Sequence, residues 1–181
     1  MRRLNPTRPP IAMDANMKFR VIFGLWMALA TTGVWSQTPV EVPEWVEEQS
    51  PSAPAYSTDL LIPVEMPPHV TLKVGIDPAT LAVGATDGVV RYVVVMRNAS
   101  GSVNVAYEGI RCTTGEVKTF ARVNAAGQWV NNEQAPWKDM TSNLPSRHAY
   151  AIAKQGACDG RTSAKRDDIV NALKRRQVAR D

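Results

Sequence analysis

Two histidines and two cysteines are the residues of this 181-residue chain from which a metal site or an activated nucleophile would have to be built. His69 stands beside a Pro-Pro pair, and His148 falls in an apolar periodicity with Leu144 and Ile152. No CxxC spacing and no adjacent histidine involves Cys112 or Cys158. A zinc set draws on several such ligands at short spacings, so no metal site is expected. A reactive thiol needs a depressed pKa and a partner base, and neither cysteine has one beside it. The chain also lacks a G-x-S-x-G turn and a phosphate loop. No catalytic or cofactor-binding residue is therefore assigned, although a triad assembled from distant residues would escape such a search.

The remaining chemistry-bearing group is a charged cluster, Arg91, Glu108 and Arg111, which depends on two strands to bring it together. Val90, Tyr92, Val94 and Met96 are apolar at even positions, while odd positions mix valines with Arg91 and Arg97. That pattern describes a sheet covered on one side. Val103, Val105 and Tyr107 alternate in the next run until Gly109 shifts the phase to Ile110 and Cys112. A bulge at Gly109 would keep all five on the core face. Asn98-Ala99-Ser100-Gly101 supplies the turn. With Arg97 opposite Ser102, Tyr92 meets Tyr107 inside and Arg91 meets Glu108 outside, with Arg111 nearby. Such a pair is either an exposed ion pair contributing roughly 0 to 1 kcal/mol or part of a ligand site.

Before these strands come a leader and an extended segment. Lys18 and Arg20 precede the apolar run Val21 to Ala30, and Val34-Trp35-Ser36 ends on a small residue. These are the features of a secretory signal cleaved after Ser36, with Met17 as the natural start and residues 1–16 as an upstream extension. The run falls short of the about 20 residues of a membrane span. The leader holds Arg2, Arg3, Arg8, Lys18 and Arg20 against Asp14; taking these from 21 bases and 17 acids leaves 16 of each, a formal net charge of zero. The basic balance of the whole chain is thus no argument for nucleic-acid binding. Residues 37–68 are rich in proline and carry Glu41, Glu44, Glu47 and Glu48, as expected of a linker or an extended wrap, with Trp45 and Val46 as the residues to dock on the domain.

Residues 69–178 read as a single α+β domain: an antiparallel meander of about five strands with one C-terminal helix packed on a face and a second, peripheral helix. Leu60 to Val64 suits an edge strand interrupted by Pro63. Val70 to Ile76 alternates as a strand, and Asp77-Pro78 opens a loop that lasts to Asp87-Gly88. Glu116 to Val123 and Gln128 to Asn131 complete the meander. A helix entered at Pro145 ends at Gly156 in the left-handed conformation, and delivers Cys158 to Cys112. In an exported protein these two form a disulfide, whose loop of about 47 residues is worth roughly 4 kcal/mol in the chain-entropy model. The last helix starts near Thr162 or Ser163 and is loosely packed, with Asp167 and Asp168 early and Lys174, Arg175 and Arg176 late. Its basic face is expected to be solvated, with docking to an anionic membrane surface or an acidic partner as the alternative.

The run G-V-V-R-Y-V-V-V, then S-G-S-V-N-V-A-Y-E-G-I-R-C, followed by a tryptophan region and a second cysteine, resembles the cryptic neisserial protein-like domain family over roughly Pro43 to Gln177. The resemblance implies an exported, periplasmic or secreted cell-envelope protein of Gram-negative bacteria, without an assigned activity or any catalytic residue to carry over. The resulting expectation is a non-catalytic binding or structural module that meets an envelope protein through its sheet face or edge. A small envelope hydrolase acting on a glycan or peptide is the alternative. An enzyme needs titratable groups converging in a cleft, whereas a module needs an exposed face or edge strand.

Overall fold

The computed structural model describes residues 44–49, 51–132, 134–142 and 147–178. The expected leader and cleavage site, Leu144 and Pro145 lie outside these residues. Alternating apolar positions fold into a sheet of seven antiparallel strands. Six follow chain order as β1 (Ile62–Val64), β2 (Lys73–Val83), β3 (Val90–Arg97), β4 (Val103–Arg111), β5 (Glu116–Val123) and β6 (Trp129–Asn131), while β7 (Lys138–Asp139) pairs with the other end of β5. Two helical segments follow. α1 (His148–Ile152) runs into a π turn (Ala153–Ala157), and α2 (Arg166–Val178) comes after a small ladder of β8 (Cys158–Asp159) and β9 (Thr162–Ser163). No helix among the described residues is long and apolar enough to cross a membrane.

The central hairpin is paired one residue away from the expected register. Arg97 lies opposite Val103, Tyr92 opposite Glu108 and Val93 opposite Tyr107. Asn98 Oδ1 accepts the Ser102 N–H at 2.8 Å while Asn98 N–H reaches Ser102 O at 3.1 Å, which lengthens the loop by a residue. A one-residue slip sends side chains to the opposite face. Tyr92 and Tyr107 therefore lie on different faces, Val103 is exposed, and no outward Arg91 and Glu108 pair exists.

Both faces of the sheet are covered. Even-numbered Val90, Tyr92, Val94 and Met96 pack with Ile110, Ile152, Ile169 and Leu173 under the helices. On the other face Val93, Val95, Val105, Tyr107, Phe120 and Ala121 are buried beneath the extended segment through Ala53, Tyr56 and Leu61. Residues 44–49 and 51–57 of that segment form a strap without strand pairing. Trp45 docks against Trp137, with ring centroids 6.0 Å apart, but Val46 is 75% exposed. Because the second face is dry, odd-numbered positions can hold valine and buried Arg91 together.

Three local irregularities adapt the strands. No bulge occurs at Gly109, which instead leaves room for Phe120 and Val89; a Cβ there would meet them at 2.7 and 2.8 Å. The bulge is on β5, where Tyr107 faces Ala121 and Glu108 faces Thr119, so Phe120 is the extra residue. The expected loop at Asp77-Pro78 is an irregularity within β2: Asp77 Oδ1 accepts the Ala79 N–H and Asp77 O the Thr80 hydroxyl, whose oxygen in turn accepts Val93 N–H, and pairing resumes at Ala82.

The C-terminal end is stapled where expected. Cys112 and Cys158 form a disulfide with Cα atoms 5.6 Å apart, tying the end of β4 to β8. Thr162 and Ser163 are occupied in the β8–β9 ladder, so α2 begins later than expected, at Arg166. It lies at the periphery yet seats Ile169 and Leu173 fully in the core. Gly156, at φ 133°, admits this helix closely, since a Cβ would fall 2.5 Å from that of Ala172.

Candidate functional site

Glu108 is the buried acid around which a cleft is built. It is 2% exposed, in the middle of β4, with Tyr92 of β3 and Thr119 of β5 as its cross-strand neighbours. A buried carboxylate is tolerable only if its oxygens are hydrogen-bonded. Thr119 Oγ1 donates to Glu108 Oε1 at 3.3 Å, and Tyr92 Oη approaches Oε2 at 3.5 Å. His148 Nε2 lies 2.7 Å from Oε2. Burial and the nearby Glu108 carboxylate raise the Tyr92 hydroxyl well above its ordinary pKa, so it remains a donor.

Two backbone features bring these groups together. The β5 bulge places Phe120 and Ala121 both on the strap face and leaves Thr119 on the Glu108 face. At the start of α1, Arg147 adopts the left-handed conformation with φ 50° and ψ 22°, immediately before His148. A non-glycine residue in this region is strained by about 1 kcal/mol or more, and such strain recurs at functional sites.

Above Glu108 is a cleft of about 540 Å³ between β4, β5, the segment leading into β7 and the start of α1. Its polar lining comprises Asn104, Glu108, Thr119, Arg122, Asn132, Lys138 and His148, and Leu72, Met96 and Val117 form apolar wall. Arg122 and Lys138 are exposed at the rim; Arg122 Nη2 also donates to Thr119 Oγ1 at 3.4 Å. The arrangement can hold an anion at the rim and exchange a proton through the imidazole. No group of three or more His, Cys, Asp or Glu capable of holding a metal occurs among the described residues.

The expected trio is thus divided between two faces. Glu108 enters the cleft, whereas Arg91 and Arg111 face the strap. Arg91 Nη2 pairs with buried Asp87 Oδ2 at 2.6 Å and donates to Glu48 O at 3.2 Å. The Arg111 guanidinium lies 3.7 Å from the Trp45 ring centroid and 3.5 Å from Glu116. No motif in the sequence marks His148, Thr119, Arg122 or Lys138 as site residues. Only the four-residue spacing of Leu144, His148 and Ile152 hinted that His148 turns inward, and nothing local linked it to Glu108. His69 is exposed and does not line the cleft.

A model of the CNP1-like family matches residues 40–174, the greater part of the chain. No match was found among the curated proteins or among the solved structures.

Proposed function

The chain belongs to the CNP1-like family, and from that premise we propose that it is an exported, non-catalytic binding module of the Gram-negative cell envelope, periplasmic or secreted, with the Glu108–His148 cleft as its ligand site. The observation that carries this reading is the charge arrangement of the cleft. Glu108 is engaged by His148, Tyr92 and Thr119 at the floor, while Arg122 and Lys138 stand exposed at the rim. The ligand that complements them is a small anion, a carboxylate or phosphate ester with an apolar part against Leu72 and Val117. The Cys112–Cys158 disulfide supports an oxidising compartment. Since both sheet faces are covered, an envelope protein partner would present its acidic group at the cleft rim instead of adding to a bare face.

A second reading, a small hydrolase acting on an envelope glycan or peptide, is favoured by one observation: two titratable groups, Glu108 and His148, meet in a cleft. Against it, Thr119 is the sole hydroxyl-bearing residue among the described lining residues, and its hydroxyl donates to Glu108.

Titration calorimetry against acidic sugars, carboxylated peptides and phosphate esters separates the readings. The binding reading expects one class to bind and be recovered intact, with affinity reduced at least about tenfold by combined Arg122→Ala and Lys138→Ala. Turnover abolished by His148→Gln would establish the hydrolase. Absence of binding across all three classes would sink the cleft as an anion site.

A further inference from the structure

A second basic site lies away from the cleft, where the π turn meets the end of α2. A depression of about 370 Å³ is lined there by Lys154, Gln155, Gly156, Ala172, Arg175 and Arg176. The three cations are exposed, and among the described residues none of them forms an ion pair. Gln155 is already engaged, exchanging hydrogen bonds with the backbone of Glu65 at 2.8 and 2.9 Å. The floor is Gly156 and Ala172, without large side chains. Tyr150, 37% exposed, adjoins the site, with Lys154 Nζ 5.8 Å from its ring centroid.

The acids of α2 stand at the opposite end of the helix from these arginines: Asp167 and Asp168 belong to the first turn, whereas Arg175 and Arg176 occupy the last. Glu65 borders Arg176 in an adjoining shallow pocket. Clustered cations around a smooth apolar floor, flanked by an exposed tyrosine, match the layered chemistry of a membrane interface: phosphate outermost, then the glycerol and acyl boundary where tyrosine settles.

We propose that this corner docks the protein on an anionic phospholipid surface, with Lys154, Arg175 and Arg176 around the lipid phosphate and Tyr150 at the interfacial level. The contact is peripheral and electrostatic, so it is reversible and weakens with salt. It is independent of the cleft and stands or falls separately from the ligand reading above.

The test is hydrogen exchange, resolved by peptide, on the full chain with vesicles of phosphatidylcholine alone or containing phosphatidylglycerol. The expected result is protection of residues 148–178 by the phosphatidylglycerol vesicles only, lost in 0.5 M salt, a concentration at which screening falls to about 4 Å. The combined variant Lys154→Ala, Arg175→Ala and Arg176→Ala should lower vesicle partitioning by on the order of a hundredfold. Its charge-conserving counterpart, Lys154→Arg, Arg175→Lys and Arg176→Lys, should bind as the parent does and guards against misfolding as the cause. Equal protection by phosphatidylcholine, or protection that survives the alanine variant, would overturn the proposal. So would equal protection by soluble glycerol phosphate at the same headgroup concentration, which would assign the corner to a free phosphate.

Discussion

A single buried carboxylate, Asp87, joins the turn before β3 to the strap. Its oxygens accept N–H groups of Val89 and Glu48 and both terminal nitrogens of Arg91, while its carbonyl accepts the Trp45 indole N–H at 3.0 Å. Burial opposes ionisation, but the hydrogen bonds from Arg91, Val89 and Glu48 and the Arg91 charge outweigh it and hold the carboxyl below its ordinary value of 3.8. A carboxyl whose folded pKa is depressed contributes its stability above the unfolded value and loses it as pH falls through that value toward the folded one. Asp87→Asn should therefore cost about 3 kcal/mol near neutral pH, leaving Arg91 buried without its counter-charge. The difference from the parent should shrink below about pH 4. Urea unfolding across that range checks both statements, and a gap that is unchanged in acid would remove Asp87 from the account.

At the scale of elements, the strap is what the alternation could not reveal. Val90, Tyr92, Val94 and Met96 were legible as one buried face because the helices covering them carry their own periodicity. Val93 and Val95 looked half-wet because their cover is an irregular, proline-rich segment with no pattern to recognise. Reading one dry face favoured the register that paired Arg91 with Glu108, since opposite charges suit exposed cross-strand positions. The Asn98 side chain, which extends the turn by a residue, reversed it. The same register hides the cleft, because it sets Glu108 outside, and His148 lies 40 residues further along the chain. The strap itself is anchored by Trp45, by Glu47 on Lys118 and Trp137, and by the Trp129 indole on Pro54 O. Trp45→Ala should cost about 2 kcal/mol through lost ring contacts and the Arg111 cation–π interaction. It should also speed amide exchange at Val93 and Val95. Slow exchange at those positions in the variant would mean that the strap is draped over the sheet and not part of its core.

For the whole molecule, the disulfide is the feature most plainly legible in the sequence, since two cysteines leave one pairing within the chain. It joins the end of β4 to the ladder that introduces α2, and so couples the sheet to both helical segments. The separation of 46 positions between the two cysteines implies that replacing both by alanine lowers stability by about 4 kcal/mol, before any change in packing. Denaturant unfolding of the parent and the double variant, each with and without reductant, measures it. A parent indifferent to reductant would exclude the bond from the stability of the fold.

The cleft is tested most directly by following the His148 imidazole and the backbone amides by NMR while an acidic ligand from the calorimetric screen is added. Shifts that saturate together at His148, Thr119, Arg122 and Lys138, and vanish when Arg122 and Lys138 are both alanine, are the expected result. Saturable shifts elsewhere, for instance at Tyr107 and Phe120 beneath the strap, with the His148 ring unmoved, would contradict it.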